Sequence, residues 1–436
     1  MSSPALSLLR SYCSPRTWRK AHRRADSIIY WSEGGGRIVA VVRGDCGDHL
    51  VYLSETSVDC SCWGFITHPY VLCSHIAAVL IRLAREGRAR DAKRYIEVFE
   101  NGRRCPPKMF LKTSLKNLNE LFATESVKEG GLPVGVLTEF YGFPESGKTI
   151  LVFQLAYEAM KSMGSNALLW DTEGGISKHM IPFWKPRFDR RYGINPKVVD
   201  VKVDVEPIVR PKKKKEEAEE EEIITEARER DLVGYSVKIR MEKAPKEEAN
   251  RPRIYVLRCG AIEKILAIHG FPVIREISDA GKMTIRLLPH GHAAEYWDSP
   301  MYRLVKMGNI KYIAYDSVSA PLDIFGSAQE NFPARSDAAK YWLTQAQNIA
   351  EDLDAIIIGT FHASINPAQP IKLHPVPKDG VAPLHRFKYI IYMEKGRGKD
   401  TRNLVKLYLR RHTAKEGWTD VNTKVLRLTN GGYVDV

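Results

Sequence analysis

Four apolar runs divide the chain: VLTEFYG (136–142), NALLWDTE (166–173), NIKYIAYDS (309–317) and DAIIIGTFHAS (354–364). They are nearly continuous, as in strands buried on both faces of a parallel sheet. ILVFQLAYEAMKSM (150–163) and DAAKYWLTQAQNIAEDL (337–353) alternate with them at helical spacing. That succession predicts a doubly wound α/β unit with a mostly parallel sheet. Upstream, RIVAVVRGDCGDHLVYLSETSVD (37–59) is read as alternating apolar and polar positions about a GDCGD turn and predicts a β-hairpin, and HIAAVLIRLARE (75–86) predicts a helix. The N-terminal unit is therefore expected to be ββα over residues 1–105, closed by the prolines of NGRRCPP, with the α/β unit at 106–436. The gap between the second and third runs is too long for one connection. An insertion is expected at about 187–299, with RIYVLRCG and KMTIRLLPHG as strands of a small subdomain. Within it PKKKKEEAEEEEIITEARERD (211–231) is nearly all charge, which suits a solvated helix or linker, a specific acidic docking site being the alternative.

A chain of 436 residues exceeds one ordinary core, in keeping with two units. No apolar run reaches the roughly 18 to 20 residues of a membrane helix, and Arg10 interrupts any signal-peptide core, so a cytoplasmic protein with no membrane partner is expected. The net charge of +14 sits at the ends: +7 over residues 1–110, from 17 basic and 10 acidic residues, and +8 over 371–436, from 14 and 6. Basic ends suit a polyanion, most simply nucleic acid, although a generally basic protein gives the same count. The arm carries Arg16, Trp18, Arg19, Lys20, Arg23 and Arg24, and Arg82, Arg85, Arg88 and Arg90 follow the first helix.

GFPESGKT, from Gly142 through Phe143, Pro144, Glu145, Ser146, Gly147 and Lys148 to Thr149, matches the G-x-x-x-x-G-K-[ST] phosphate loop between a strand and a helix. Its backbone N–H groups would surround a phosphate of ATP, Lys148 would reach the β and γ phosphates, and Thr149 would ligate Mg²⁺. Asp316 ends the next apolar strand and is placed to share that Mg²⁺. Glu173 beside a Gly pair is the candidate to activate the attacking water, with Asp171, on the same strand face, as second choice. Thr360 and His362 end the last strand, where ligands of open α/β sheets bind; His362 is either a γ-phosphate sensor or an ordinary strand-end residue.

Of seven cysteines, Cys13, Cys46, Cys105 and Cys259 are scattered, but Cys60-x-Cys62 and Cys73-x-His75 form a compact group. Three thiolates and one imidazole complete a tetrahedral structural Zn²⁺ site with no open position, free buried thiols being the alternative. His68 lies between the pairs without a cysteine of its own.

The order GFPESGKT, WDTEGG, IAYDSVSA and GTFHAS, with SLKNLNELF (114–122) before and MEKGRGKDTRNLVKLYLRRH after, resembles the RecA-type recombinase core, most closely its archaeal RadA branch. C-x-C-x(n)-C-x-H-x-x-A, ending at Ala78, resembles the SWIM zinc finger. The resemblance implies a RecA-like ATPase, DNA-dependent, that binds single-stranded DNA through loops at 319–336 and 364–386 and acts in homologous recombination and repair. Three departures stand out: no F-x-x-A segment precedes the core, ISKHMIPFW replaces an arginine-bearing stretch, and His362 stands where Gln is usual. These imply a paralogue or mediator of a filament-forming recombinase and leave homo-oligomerisation open. A protein-binding adaptor or signalling ATPase, with ATP as a conformational switch, is the other expectation.

Overall fold

The computed structural model describes residues 4–45, 47–54, 58–62, 72–101, 109–123, 127–209, 232–241, 251–278, 281–288, 296–326, 331–364, 376–377, 386–411 and 423–436. Two helices open the chain, α1 (Pro4–Ser11) and α2 (Pro15–Arg24). Ser14 caps α2 by accepting from the Thr17 amide, and Pro15 starts its first turn, where a missing N–H costs nothing. An antiparallel meander follows: β1 (Ile28–Gly34), β2 (Arg37–Gly44), β3 (Gly47–Leu53) and β4 (Val58–Cys60). Helices α3 (Ser74–Arg85) and α4 (Ala89–Asn101) complete the unit. The expected hairpin is β2–β3, but it is the middle of four strands, so the simple ββα expectation was too small.

The meander is buried on both faces, which explains why RIVAVV does not alternate. Ile38, Ala40, Val42, Val51 and Leu53 share a core with Ile76, Val79, Leu80 and Leu83 of α3. Val39, Val41, Leu50 and Tyr52 on the other face belong to the core of the following unit.

That unit begins with β5 (Met109–Leu111), α5 (Lys116–Leu121), β6 (Leu132–Val134) and β7 (Leu137–Gly142). Next come α6 (Lys148–Met163), β8 (Asn166–Asp171), a π-helical segment (Ile176–Trp184) and α7 (Lys185–Tyr192). Then β9 (Lys197–Val209), β10 (Leu232–Arg240), β11 (Arg253–Arg258), α8 (Ile262–Ile268), β12 (Val273–Ile277) and β13 (Met283–Leu287). They are followed by α9 (Pro300–Met307), β14 (Ile310–Asp316), α10 (Ser319–Leu322), α11 (Phe332–Asp352) and β15 (Ile356–Ser364). The chain ends with β16 (Val376–Pro377), β17 (Phe387–Lys395), β18 (Leu404–Arg411), β19 (Thr423–Thr429) and β20 (Gly432–Asp435).

The main sheet runs β10-β9-β11-β8-β14-β15-β7-β17-β18-β19-β20 and is parallel from β9 to β17, the α/β class expected. Antiparallel strands finish both edges. On one side α6 packs over Phe140, Leu169, Ala314 and Ile358; on the other, α8, α9 and α11 pack with Leu168, Trp170, Ile313 and Ile357. Strand alternation sends neighbouring residues to opposite layers.

The stretch 187–299 is less of an insertion than expected. RIYVLRCG is β11, seated between β8 and β9 in the main sheet, with Ile254, Tyr255, Val256 and Leu257 all buried, as a central strand requires. KMTIRLLPHG supplies β13, which pairs with β12 in a separate hairpin. Residues 211–231 lie outside the described residues. Among the described residues no helix is long and apolar enough to cross a membrane.

Helix α11 joins the two units. Every residue from Ala334 to Ala350 is buried, because the main sheet covers one face and the N-terminal meander another. Several polar side chains at this seam are partnered: Arg37 pairs with Glu351 at 3.3 Å and with Asp352, and Tyr52 donates to Glu351 at 3.2 Å. The fully buried Lys340 donates to the Cys60 carbonyl at 2.5 Å.

Candidate nucleotide and metal sites

Parallel pairing brings the C-terminal ends of β8, β14, β15 and β7 to one edge, with Asp316 opposite Asp171 and His362 opposite Gly142. The turn from β7 into α6 needs its glycines: Gly147 is left-handed at φ +88°, and a Cβ there would lie 1.9 Å from the Tyr433 hydroxyl. A Cβ at Gly142 would lie 2.5 Å from the Met393 carbonyl. Pro144 and Glu145 are exposed, Phe143 is half-buried and Ser146 is buried. Lys148 is buried and curls back, donating to the carbonyls of Gly142 at 2.9 Å and Phe143 at 3.1 Å. Burial lowers its pKa to about 8, against the charges of Asp316 and Glu173.

Asp316 stands across from the loop. Its two oxygens accept from the Thr149 hydroxyl at 2.8 Å and the Thr360 hydroxyl at 2.5 Å, while burial pushes its carboxyl up. Thr149 and Asp316 thus meet as a divalent-cation pair should, a hydroxyl beside an otherwise costly buried carboxylate. Glu173 is more open, its side chain 41% exposed. One oxygen accepts from Ser317 Oγ and faces His362 Nε2 at 2.9 Å, and the His362 contact leads the causes that hold its carboxyl low. The His362 amide in turn donates to Ser319 Oγ at 3.1 Å.

Ser317 and Ser319 were not singled out by sequence; the signal was the polar DSVS directly after an apolar strand. Thr172 ties the two strand ends together, donating to the Ser317 carbonyl at 2.9 Å and accepting from its amide at 2.8 Å. Asp171, the second choice for the water, is buried and engaged elsewhere: it accepts from the Ser177 amide at 2.9 Å and hydroxyl at 2.8 Å. It anchors the π-helical segment. Of the loop expected at 319–336, residues 327–330 lie outside the described residues, as does nearly all of 364–386. Arg386, where the chain re-emerges, is buried against the meander, over the Tyr52 ring at 4.7 Å and 3.4 Å from Asp59.

The Cys/His group lies at the meander's other face. Cys60 ends β4, Cys73 caps α3 and His75 sits in its first turn. The candidate ligand atoms of Cys60, Cys62, Cys73 and His75 all lie within 4.8 Å of one another. Both ring nitrogens of the buried His75 lack a hydrogen-bond partner, an arrangement a bound cation would relieve. Backbone amides aim at two sulfurs, Cys62 at Cys60 and Ile76 at Cys73, each at 3.5 Å. Burial pushes the Cys60 and Cys73 thiols up, whereas hydrogen bonds from both of them pull Cys62 down. A tetrahedral dication would hold all three sulfurs as thiolates. The residues therefore fit zinc. His68 lies outside the described residues.

No protein-family model matches the chain. Over 52 residues it is 50% identical to the DNA repair and recombination protein RadB of Methanosphaera stadtmanae, 12% of this chain and 22% of that protein. Over 67 residues it is 40% identical to the protein of the same name from Methanothermobacter thermautotrophicus, 14% of this chain and 28% of that one. The matched stretches span 22% and 28% of these curated relatives. A crystal structure of the RadB recombinase superposes with a TM-score of 0.42 at 19% identity, over 75% of this chain and 99% of that one; a score so low carries no argument of its own.

Proposed function

We propose that the chain is an ATP hydrolase of the RecA/RadA recombinase type that binds single-stranded DNA and assists a filament-forming recombinase in recombination and repair. The observation that carries the hydrolase is the convergence of the Gly142–Thr149 loop, Asp316, Glu173 and His362 on one sheet edge. The matches to proteins named for repair and recombination support the setting. The loop amides and Lys148 hold the β and γ phosphates of ATP at the start of α6. Thr149 and Asp316 would hold Mg²⁺, which when bound offsets charge on the phosphates. Glu173, kept ionised by His362 and Ser317, accepts the proton of the attacking water. His362, joined to Glu173 on one side and through its amide to Ser319 on the other, senses the γ-phosphate. In residues 1–105 a SWIM-type zinc site orders the unit that chooses DNA or partner, and 106–436 is the ATPase.

ATP turnover with and without single-stranded DNA tests this reading, with Lys148→Ala as the variant that no longer binds nucleotide. Stimulation by DNA is expected. Turnover indifferent to DNA, with no salt-dependent DNA binding, would leave an adaptor switched by ATP.

A further inference from the structure

The expected basic arm is a folded helix, and its charges divide into two sets. Helix α2, PRTWRKAHRR, contains five Lys/Arg and no acidic residue. Lys20 and Arg24 turn to Asp45, at 2.7 and 3.0 Å, and Arg24 also donates to Ser74. Three of the four arginines of and after α3 are likewise occupied, Arg82 by Glu86 at 2.8 Å, Arg85 by Asp26 at 2.9 Å, and Arg88 by Glu33 and Asp91, whereas Arg90 on α4 is exposed and stands apart from the α2 face. Arg16, Arg19 and Arg23 differ. All three are exposed, and none pairs with a described carboxylate.

Their spacing, i, i+3 and i+7, aligns them along one face over two turns, about 10 Å. Trp18 is half-buried, packed against the unit's core and edge-on to His22 at 4.6 Å, and so is not free to stack on a base. The exposed face therefore offers guanidinium groups without an aromatic platform. Guanidinium forks suit phosphate oxygens, and contacts of that kind fix position without reading sequence. The helix also lies on the far side of its unit: α2 packs on α3, and α3 covers the meander face opposite α11.

We propose that Arg16, Arg19 and Arg23 form a phosphate-backbone track for nucleic acid, separate from the nucleotide edge. The proposal rests on the reading that the protein binds nucleic acid, and goes beyond it in naming a second surface. It is independent of base sequence.

The test measures binding of fluorescent single-stranded and duplex DNA of equal length by anisotropy, across a salt series, with the full chain. Replacing Arg16, Arg19 and Arg23 together by Gln is expected to lower the slope of log affinity against log salt by about 2 to 3, whatever the sequence. Loss on one probe alone tells which strand state the track takes. Replacing Arg82 and Arg85 by Gln should change the slope by less than about 1, and binding of a fluorescent ATP analogue should be unchanged in both variants. Wild-type binding with an unaltered slope in the triple variant overturns the track alone, and leaves the three arginines to an acidic protein partner. Absence of salt-dependent binding in the wild-type chain overturns the nucleic-acid reading and the track with it.

Discussion

At the sheet edge, each polar group already has a partner within the chain: Thr149 and Thr360 on Asp316, Ser317 and His362 on Glu173, loop carbonyls on Lys148. At the Cys/His group, His75 has none, and three thiols crowd within 4.8 Å. The first site is self-satisfied and half-open, so a ligand enters by exchanging partners. The second is closed, and the ring nitrogens of His75 lack a partner that a cation would supply. A site that does chemistry must release its contacts; one that only holds a fold need not.

The largest separation between the two should come from Glu173→Gln, which keeps shape and hydrogen bonding but removes the base. Turnover is expected to fall about 10²- to 10⁴-fold with nucleotide affinity unchanged, by steady-state hydrolysis and fluorescent-nucleotide titration. Near-normal turnover would move the base elsewhere, and Asp171, held by Ser177, is poorly placed to take it. Metal removal comes next. Chelation, or Cys62→Ser, should abolish zinc content and lower the unfolding temperature, since the ion's binding free energy is folding free energy. A thermal transition indifferent to chelator would leave four unmetallated side chains. The smallest effect is expected at the seam: Lys340→Met removes a buried ammonium from the Cys60 carbonyl and should weaken zinc retention about tenfold in chelator competition. Unchanged retention would make Lys340 a packing residue only.

Much of both sites was legible because the informative residues are contiguous. GFPESGKT carries its own turn glycines, and C-x-C with C-x-H puts ligand pairs on a strand end and a helix start. What sequence missed was assembled from afar. Ser317 and Ser319 matter only because β14 lies between β8 and β15. The long gap between NALLWDTE and NIKYIAYDS makes RIYVLRCG read as part of an insertion, whereas parallel pairing counts neighbours in space. The exposed arginines of α2 could not be told from its paired Lys20 and Arg24, since Asp45 decides that across the fold. The polar residues of α11, Lys340, Thr344, Gln345 and Asn348, imply a wet face, and only distant segments account for their burial, Cys60 of the meander over Lys340, Arg386 over Thr344 and Ser299 over Gln345.

That cover also bears on how the chain can be divided. A cut near residue 105 falls between two sequence motifs, but it would uncover Tyr341 and the rest of a helix that has no solvent-adapted side, and would strand Lys340 and Arg386 without Cys60 and Asp59. The half after the cut would then carry an exposed, sticky seam. The boundary is one of composition and motif, and the two halves are better expressed, purified and melted as a single cooperative body.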